Sequence, residues 1–374
     1  MPLTAAGCAA RRRQLCQAVD VDLFIISNPR HIHYLSGLYV APLALSAWGH
    51  NFLLIDGQTG HSKLLVHNFI APDAQAAPVD EVTVWTWYDA ATRSGIPIFR
   101  EAVGQLNRQL GSHSTKRVGI EAGLLPREVE ISEAVDVTDT LLAMRRRKDP
   151  DELDLIREAI RAVEAGHAAA RQIIKPGLSE LQVYNAMYAA IVEAAGHAVL
   201  PLGDFASGER AYAVGGPATP RILQPGDLMI LDVFPIVNGY RADFTATLSV
   251  DGHLSDLQQR LETALHAAIA AGETRLTAGT KTQDIYQAVK QALTDHGFGE
   301  GFTAHAGHGL GLGHPEWPFI VPESEETLLA GDVVTLEPGS YGPDFGARIE
   351  HNYLILADGF ERLTHHQTEF AQVG

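Results

Sequence analysis

The sequence predicts an α+β protein of two domains. Three features carry that expectation. Short apolar runs alternate with helical stretches over the first part of the chain, a charged break ending in proline follows at residues 144–150, and beyond it helices and antiparallel strands come in blocks. Alternation marks the first part as α/β, whereas the blocks mark the second as α+β rather than doubly wound.

In the first part, residues 23–27 (LFIIS), 52–55 (FLLI), 64–67 and 117–121 read as strands, and 99–110 as a helix. Tyr34-Leu35-Ser36 before Gly37 reads as a turn, and Asp56-Gly57 as a hairpin signal. The run 144–150 (MRRRKDP) reads as a solvated linker beside a helix start, with the domain boundary near 148: residues 1–147 and 148–374. Asp149 or Asp151 suits the cap of a helix over 151–174, because Leu153, Ile156, Ile160 and Val163 recur at helical spacing. A helix over 179–195, strands over 227–237 and 240–250, helices over 254–272 and 281–297, and strands over 332–337 and 347–356 complete the pattern.

A chain of 374 residues has room for about two domains and a large core. Its net charge of −17 argues against a nucleic-acid partner, which calls for a basic stripe. Two cysteines, Cys8 and Cys16, make neither a disulfide framework nor a thiolate metal site. They read as helix-face residues in a reducing compartment, so a cytoplasmic location is expected. No run of about 18 apolar residues predicts a membrane span, and the start of the chain has no apolar core behind its arginines to make a secretory signal.

The chemistry concentrates in the C-terminal half. Asn238-Gly239 between apolar runs is a two-residue hairpin signal. With those two residues as the loop, Asp243 faces Phe234 and Asp232 faces Thr245, so the two aspartates are diagonal neighbours on one face, about 7–8 Å apart. Two acids inside an apolar hairpin need a cation or a proton between them. Pro235 cannot donate to a ladder and calls for an edge or bulge. The stretch 307–314 (GHGLGLGH) reads as a loop presenting His308 with little steric cover. No Lys-Ser/Thr follows, so it is not a phosphate loop. Glu337 ends an apolar strand, and Arg348, Glu350 and Asn352 alternate onto one face. Four carboxylates and one imidazole form a hard ligand set suited to a pair of divalent ions such as Mn²⁺, Co²⁺ or Zn²⁺. Such a pair makes a hydroxide at neutral pH and stabilises a tetrahedral oxyanion, which is hydrolase chemistry.

The order Asp232, Asp243, His308, Glu337, Glu350, at intervals of eleven, sixty-five, twenty-nine and thirteen, resembles the pita-bread metallopeptidases. These include methionine aminopeptidase, aminopeptidase P and prolidase, with creatinase a metal-free relative. The matching stretches are LDVFPIVNGYRADFTATLSV, GHGLGLGHPEWPFIVPE, TLEPGSYGP and ARIEHNYLIL, with NPRHIHYLSG and RKDPDELDLIREA earlier in the chain. The later intervals are similar to those of the proline-specific branch. The resemblance implies a C-terminal pita-bread fold, a curved antiparallel sheet covered by helices, and a smaller N-terminal α/β creatinase-like domain. It implies that Asp232 chelates one metal, that Asp243 and Glu350 bridge both, and that His308 and Glu337 complete the second. A bridging hydroxide would attack the scissile carbonyl, with Glu337 as proton shuttle.

Substrate contacts depart from the family. The expected histidines four residues before and seven after His308 are Ala304 and Pro315 here, with His305 and His314 one step away. Another, some seventeen residues before Asp232, falls in Val214-Gly215-Gly216-Pro217. His305 and His314, with Tyr341 and Arg348, are the candidate catalytic and substrate-binding residues. His31, His33, Trp48 and His50 read as packing or surface residues, with reach into a partner subunit's site the functional alternative. The resemblance implies an exopeptidase for Xaa-Pro bonds, a dipeptidase first, with two divalent metal ions, a small peptide substrate and a homodimer. The alternatives are aminopeptidase P, a creatinase-like or ectoine-hydrolase-like C–N hydrolase, and a binding protein that keeps the fold without catalysis.

Overall fold

A computed structural model describes residues 2–40, 51–91, 95–111, 117–200 and 202–371. The chain divides into two compact units, Met1–Arg145 and Arg146–Gly374.

The first unit holds α1 (Ala5–Ala18), β1 (Leu23–Ile26), α2 (Pro29–Ser36), β2 (Phe52–Asp56), β3 (Ser62–His67), α3 (Ala71–Ala76), β4 (Glu81–Trp85), α4 (Ile98–Leu110), β5 (Arg117–Ile120), β6 (Glu133–Asp136) and α5 (Thr138–Met144). Its sheet runs β4-β3-β2-β1-β5-β6. The β1–β2 and β2–β3 pairs are antiparallel and the outer pairs parallel. Ala102, Val103, Leu106 and Leu110 form one stripe of α4. They pack on Ile25, Phe52, Leu54, Leu65 and Trp85 of the sheet.

Tyr34-Leu35-Ser36 is the last turn of α2 rather than an isolated turn. Asn28 caps the start with its side-chain oxygen, Pro29 stands in the first turn, and Gly37 closes the end at φ +72°. The Tyr34 and Leu35 carbonyls, left without helical partners, accept from Arg11 Nε and Arg12 Nη1, both at 2.8 Å. This is why α1 escaped periodicity: its buried face is Cys8, Arg11, Arg12 and Leu15, not an apolar stripe. Cys8 and Cys16 are helix-face residues, and neither is in a disulfide.

The second unit holds α6 (Pro150–Ile173), α7 (Glu180–Ala195), β7 (Gly203–Ser207), β8 (Leu228–Val233), β9 (Ile236–Val237), β10 (Tyr240–Arg241), β11 (Phe244–Ser249), α8 (Asp256–Glu273), α9 (Thr282–Asp295), β12 (Gly307–Gly309), β13 (Glu316–Ile320), β14 (Val333–Leu336), β15 (Gly339–Tyr341), β16 (Gly346–Arg348), β17 (His351–Leu356) and β18 (Gly359–Arg362). Two larger sheets, β11-β8-β7 and β13-β12-β14-β17-β18, are antiparallel throughout. Leu261, Leu265 and Ile269 of α8 and Ile285 and Val289 of α9 bury against Val334, Leu336, Tyr353 and Ile355. Gly272 lets α8 approach, because a Cβ there would stand 2.7 Å from Leu336 Cδ2.

The basic run is not a solvated linker. Arg145 is buried and lies 3.0 Å from His31 Nε2 in the first unit. Arg146 grips Asp332 through Nε and Nη2 at 3.1 and 2.8 Å, and Lys148 is buried against Glu316. The carboxylates that bind these cations come from far along the chain, so composition at 144–150 could not reveal them. Asp149 caps α6, and Glu152 answers with a bond from the Asp149 N–H at 2.9 Å. The expected strands at 227–237, 240–250 and 347–356 are each broken in two. The first pair is interrupted at Phe234-Pro235, where proline has no N–H to give.

Behind β11, rings from three segments stack. His167 lies 5.1 Å from Phe244, and His366 lies 4.5 Å from Phe244 and 4.9 Å from His351. His167 and His366 bond through Nε2 to the carbonyls of Phe244 and Thr245 at 3.2 and 3.1 Å. Burial holds His366 down at about 4 and His351 at about 2, and keeps His167 well below its usual range. In the unfolded chain these imidazoles take protons at about pH 6.5, so stability is fully present above that pH and falls as pH drops toward 4. For His366 alone the loss is about 2 kcal/mol by pH 5. Urea midpoints measured between pH 7.5 and 5 should fall, and His366→Leu should flatten the slope; an unchanged slope would contradict the stack's role.

Candidate metal centre

The hairpin register brings the aspartates together as the sequence pattern requires. Asp232 pairs with Thr245 and Val233 with Phe244. Past the break, Ile236 and Val237 pair with Arg241 and Tyr240 in the same register. Asn238 and Gly239 turn the chain with φ +49° and +88°, the paired positive values of a type I′ turn.

Three other segments converge on this face. His308 lies on β12, which is strand rather than loop. A Cβ at Gly307 would strike the Thr335 carbonyl and one at Gly309 the Trp317 carbonyl, so the glycines permit tight pairing with both neighbours. Glu337 follows β14. Glu350 sits where the chain passes from β16 to β17, its N–H bonded to the Thr245 carbonyl at 3.1 Å. Arg348 and Asn352 therefore belong to different strands, although both meet the site.

Threonines and an asparagine aim the acids. Thr335 Oγ1 donates to Glu337 Oε1 at 3.0 Å and accepts from the His308 N–H at 3.1 Å. Thr245 Oγ1 donates to Glu350 Oε2 at 2.8 Å. Asn352 brackets the backbone of Asp243 with its side-chain amide. The Nδ1–H of His308 donates to the Gly309 carbonyl at 3.0 Å, which leaves Nε2 facing Asp243 Oδ2 and Glu337 Oε1, each at 3.4 Å.

Two ligand sets of cation-binding size result: Asp232, Asp243 and Glu350, and Asp243, His308 and His314. Within each set the ligand atoms lie within 4.8 Å of one another. Asp243 belongs to both. His314, expected as a substrate contact, stands 2.8 Å from Asp243 Oδ2 and stacks on Phe234 at 4.3 Å. His305 is half exposed, its Nε2 3.2 Å from Glu337 Oε2. Tyr341 OH bonds Arg348, and Arg348 Nη2 bonds Asp232 Oδ2 at 2.5 Å.

Asp232 Oδ1 and Glu350 Oε1 are buried without a hydrogen-bond partner. Leaving buried carboxylate oxygens unpaired is costly, and an oxygen-binding cation satisfies both. The electrostatics agree. Burial, then the neighbouring acids, pushes Asp232 up to about 7 against the pull of Arg348, and Glu350 well above the carboxylate range. Burial acts the same way on Glu337, yet a hydrogen bond from His305 and the charges of His308, His305 and Arg348 hold it at about 2. His305 is raised by its bond to Glu337. Burial alone would lower His314, but Asp243 outweighs it and raises the group.

Asp204 is a site acid that sequence reasoning missed. It lies on β7 directly opposite Asp232, its Oδ2 3.5 Å from Arg348 Nη2. The pairing of β7 with β8 spans a long connection, so no local signal marks it. Val214 of the expected histidine region gives its carbonyl to Arg348 at 3.2 Å. His31 and His33 are buried packing residues in the first unit, His31 against Glu121; Trp48 and His50 lie outside the described residues.

Residues 154–357 match the model of metallopeptidase family M24, and residues 9–146 match the creatinase/prolidase N-terminal domain. The chain is 27% identical over 368 residues to a Xaa-Pro dipeptidase of Pyrococcus furiosus, covering 94% of this chain and 95% of that one. It is 32% identical over 224 residues to the probable dipeptidase PepE of Mycobacterium tuberculosis, covering 59% of each chain. Among solved structures, the prolidase of Pyrococcus horikoshii superposes with a TM-score of 0.82 at 24% identity, over 96% of this chain and 99% of that one. An X-Pro aminopeptidase from Thermotoga maritima gives 0.83 at 22%, over 97% and 99%. The fold is thus a creatinase-type N-terminal domain followed by a pita-bread domain. Among the described residues no helix is long and apolar enough to cross a membrane.

Proposed function

This chain belongs to metallopeptidase family M24, and we propose that it is an exopeptidase hydrolysing Xaa-Pro bonds, a dipeptidase first, with a pair of divalent ions. The observation that carries the reading is the pair of ligand sets joined at Asp243, with buried, unpartnered oxygens on Asp232 and Glu350. The four ligand carboxylates, all ionised, and the Arg348 guanidinium together carry three net negative charges, more than a single dication offsets. Mn²⁺, Co²⁺ and Zn²⁺ all suit these ligands. Asp232 would hold one ion, Asp243 and Glu350 both, and His308 and Glu337 the other. When bound, the ions supply an activated water and polarise the scissile carbonyl.

The remaining work falls to side chains. Glu337, held ionised, is placed to take a proton from the nucleophile, and His305, 3.2 Å from its far oxygen, steadies that charge. His314, 2.8 Å from Asp243 Oδ2, can donate to an oxyanion. The names of the relatives support a proline-directed substrate. A homodimer and a cytoplasmic location complete the reading, the latter supported by two cysteines that form no disulfide.

A second reading, hydrolysis of a non-peptide C–N bond, is favoured by Val214-Gly215-Gly216-Pro217, a region without the histidine that the family resemblance implies there. One panel separates the two. With Mn²⁺ or Co²⁺ supplied, Xaa-Pro dipeptides should release free proline faster than Xaa-Pro tripeptides or creatine-like amides. Turnover confined to tripeptides would indicate an aminopeptidase, and turnover confined to amides would establish the second reading.

A further inference from the structure

Arg348 is the cation that a substrate carboxylate would seek on this wall, and it is already engaged. A guanidinium has five N–H donors. Nε donates to Thr245 Oγ1 at 3.2 Å, Nη1 to the Val214 carbonyl at 3.2 Å and to Tyr341 OH, and Nη2 to Asp232 Oδ2 at 2.5 Å. Nη2 also stands 3.5 Å from Asp204 Oδ2. Asp204 shares a sheet face with Asp232, its direct cross-strand partner. Its side chain is 32% exposed, against 10% for Asp232, so it is the acid that meets solvent at this wall. Gly215 makes room for it, since a Cβ at 215 would run into the Asp204 carboxylate. Two carboxylates against one guanidinium leave the wall with a net negative charge.

We propose that Asp204 is a specificity-determining residue that receives the free ammonium group of the substrate and keeps substrate carboxylates off Arg348. The inference rests on the exopeptidase reading: a free amino terminus needs an anionic contact, and a carboxylate approaching Arg348 would have to displace Asp204. A dipeptide would then lie with its ammonium end toward β7.

The test compares wild type, Asp204→Asn and Asp204→Glu, all loaded with Mn²⁺. With Ala-Pro as substrate, Asp204→Asn should raise KM about tenfold, with the smaller share of the loss in kcat, and Asp204→Glu should recover part of it. Calorimetry supplies a readout independent of turnover. Wild type should bind L-alaninamide, a cation, at least tenfold more tightly than neutral N-acetylalaninamide, and Asp204→Asn should lose that preference. N-acetylproline, an anion, should bind Asp204→Asn more tightly than wild type. Equal KM values and an unchanged cation preference in Asp204→Asn would overturn the proposal. Failure of wild type to cleave any Xaa-Pro dipeptide or tripeptide would instead sink the exopeptidase reading, and the calorimetric comparison would still decide the charge preference of the wall.

Discussion

Asp243→Asn is expected to strip the protein of bound divalent metal and to lower peptide hydrolysis by at least about 10³-fold, some 4 kcal/mol of barrier. Asp243 is the one carboxylate common to both ligand sets. Its Oδ2 lies 2.8 Å from His314 Nε2 and 3.4 Å from His308 Nε2, so either oxygen lost to an amide removes charge from both halves of the site. The amide also presents an N–H₂ donor or a neutral oxygen where an anion stood, and its burial prevents water from substituting. The fold should survive, because the Asn352 bonds that hold residue 243 go to its backbone. Without metal, the variant should be more stable than the metal-free wild type, since one of four mutually repelling buried acids is gone. Elemental analysis after reconstitution and thermal melting with and without Mn²⁺ check both halves of the expectation. A variant retaining two ions per chain would refute the shared position of Asp243.

How far this site was legible depends on the range of the interactions that build it. The hairpin register needs only Asn238-Gly239 and the alternation around it, so the diagonal placement of Asp232 and Asp243 followed from local sequence. Glu350 was recognisable as a site residue by its spacing, but not the break that puts Arg348 and Asn352 on different strands. That break comes from the bond of the Glu350 N–H to Thr245, more than a hundred residues earlier. Asp204 was hidden for the same reason, its meaning lying in the β7–β8 register. The basic run at residues 144–150 misled most. A buried guanidinium bound to carbonyls or carboxylates looks, in sequence, like solvated charge.

Lys148→Met should destabilise the second unit by about 3–5 kcal/mol, because it leaves Glu316 buried without the lysine charge. Lys148 Nζ lies 2.9 Å from Glu316 Oε1, with the two side chains 1% and 7% exposed. Glu316 Oε2 accepts the Gly313 N–H at 2.9 Å. A Cβ at Gly311 would stand 2.6 Å from Glu316 Oε1 and 2.9 Å from Lys148 Cε, so the glycine-rich turn is wrapped closely around the pair. The pair therefore fixes residues 310–316, and with them His314 at the metal centre. Glu316→Gln alone strands a buried ammonium and should also be costly. Combining the two changes removes both charges and should recover at least half of the combined loss, since two neutral partners avoid the desolvation cost that either charge incurs alone. Urea unfolding of the four proteins gives the coupling. Additive losses would mean that the two residues act independently, and a loss below about 1 kcal/mol for Lys148→Met would mean that solvent reaches Glu316. The same variant should raise KM more than it lowers metal content, because the contact it loosens holds the loop of His314 and does not touch Asp232, Asp243 or Glu350.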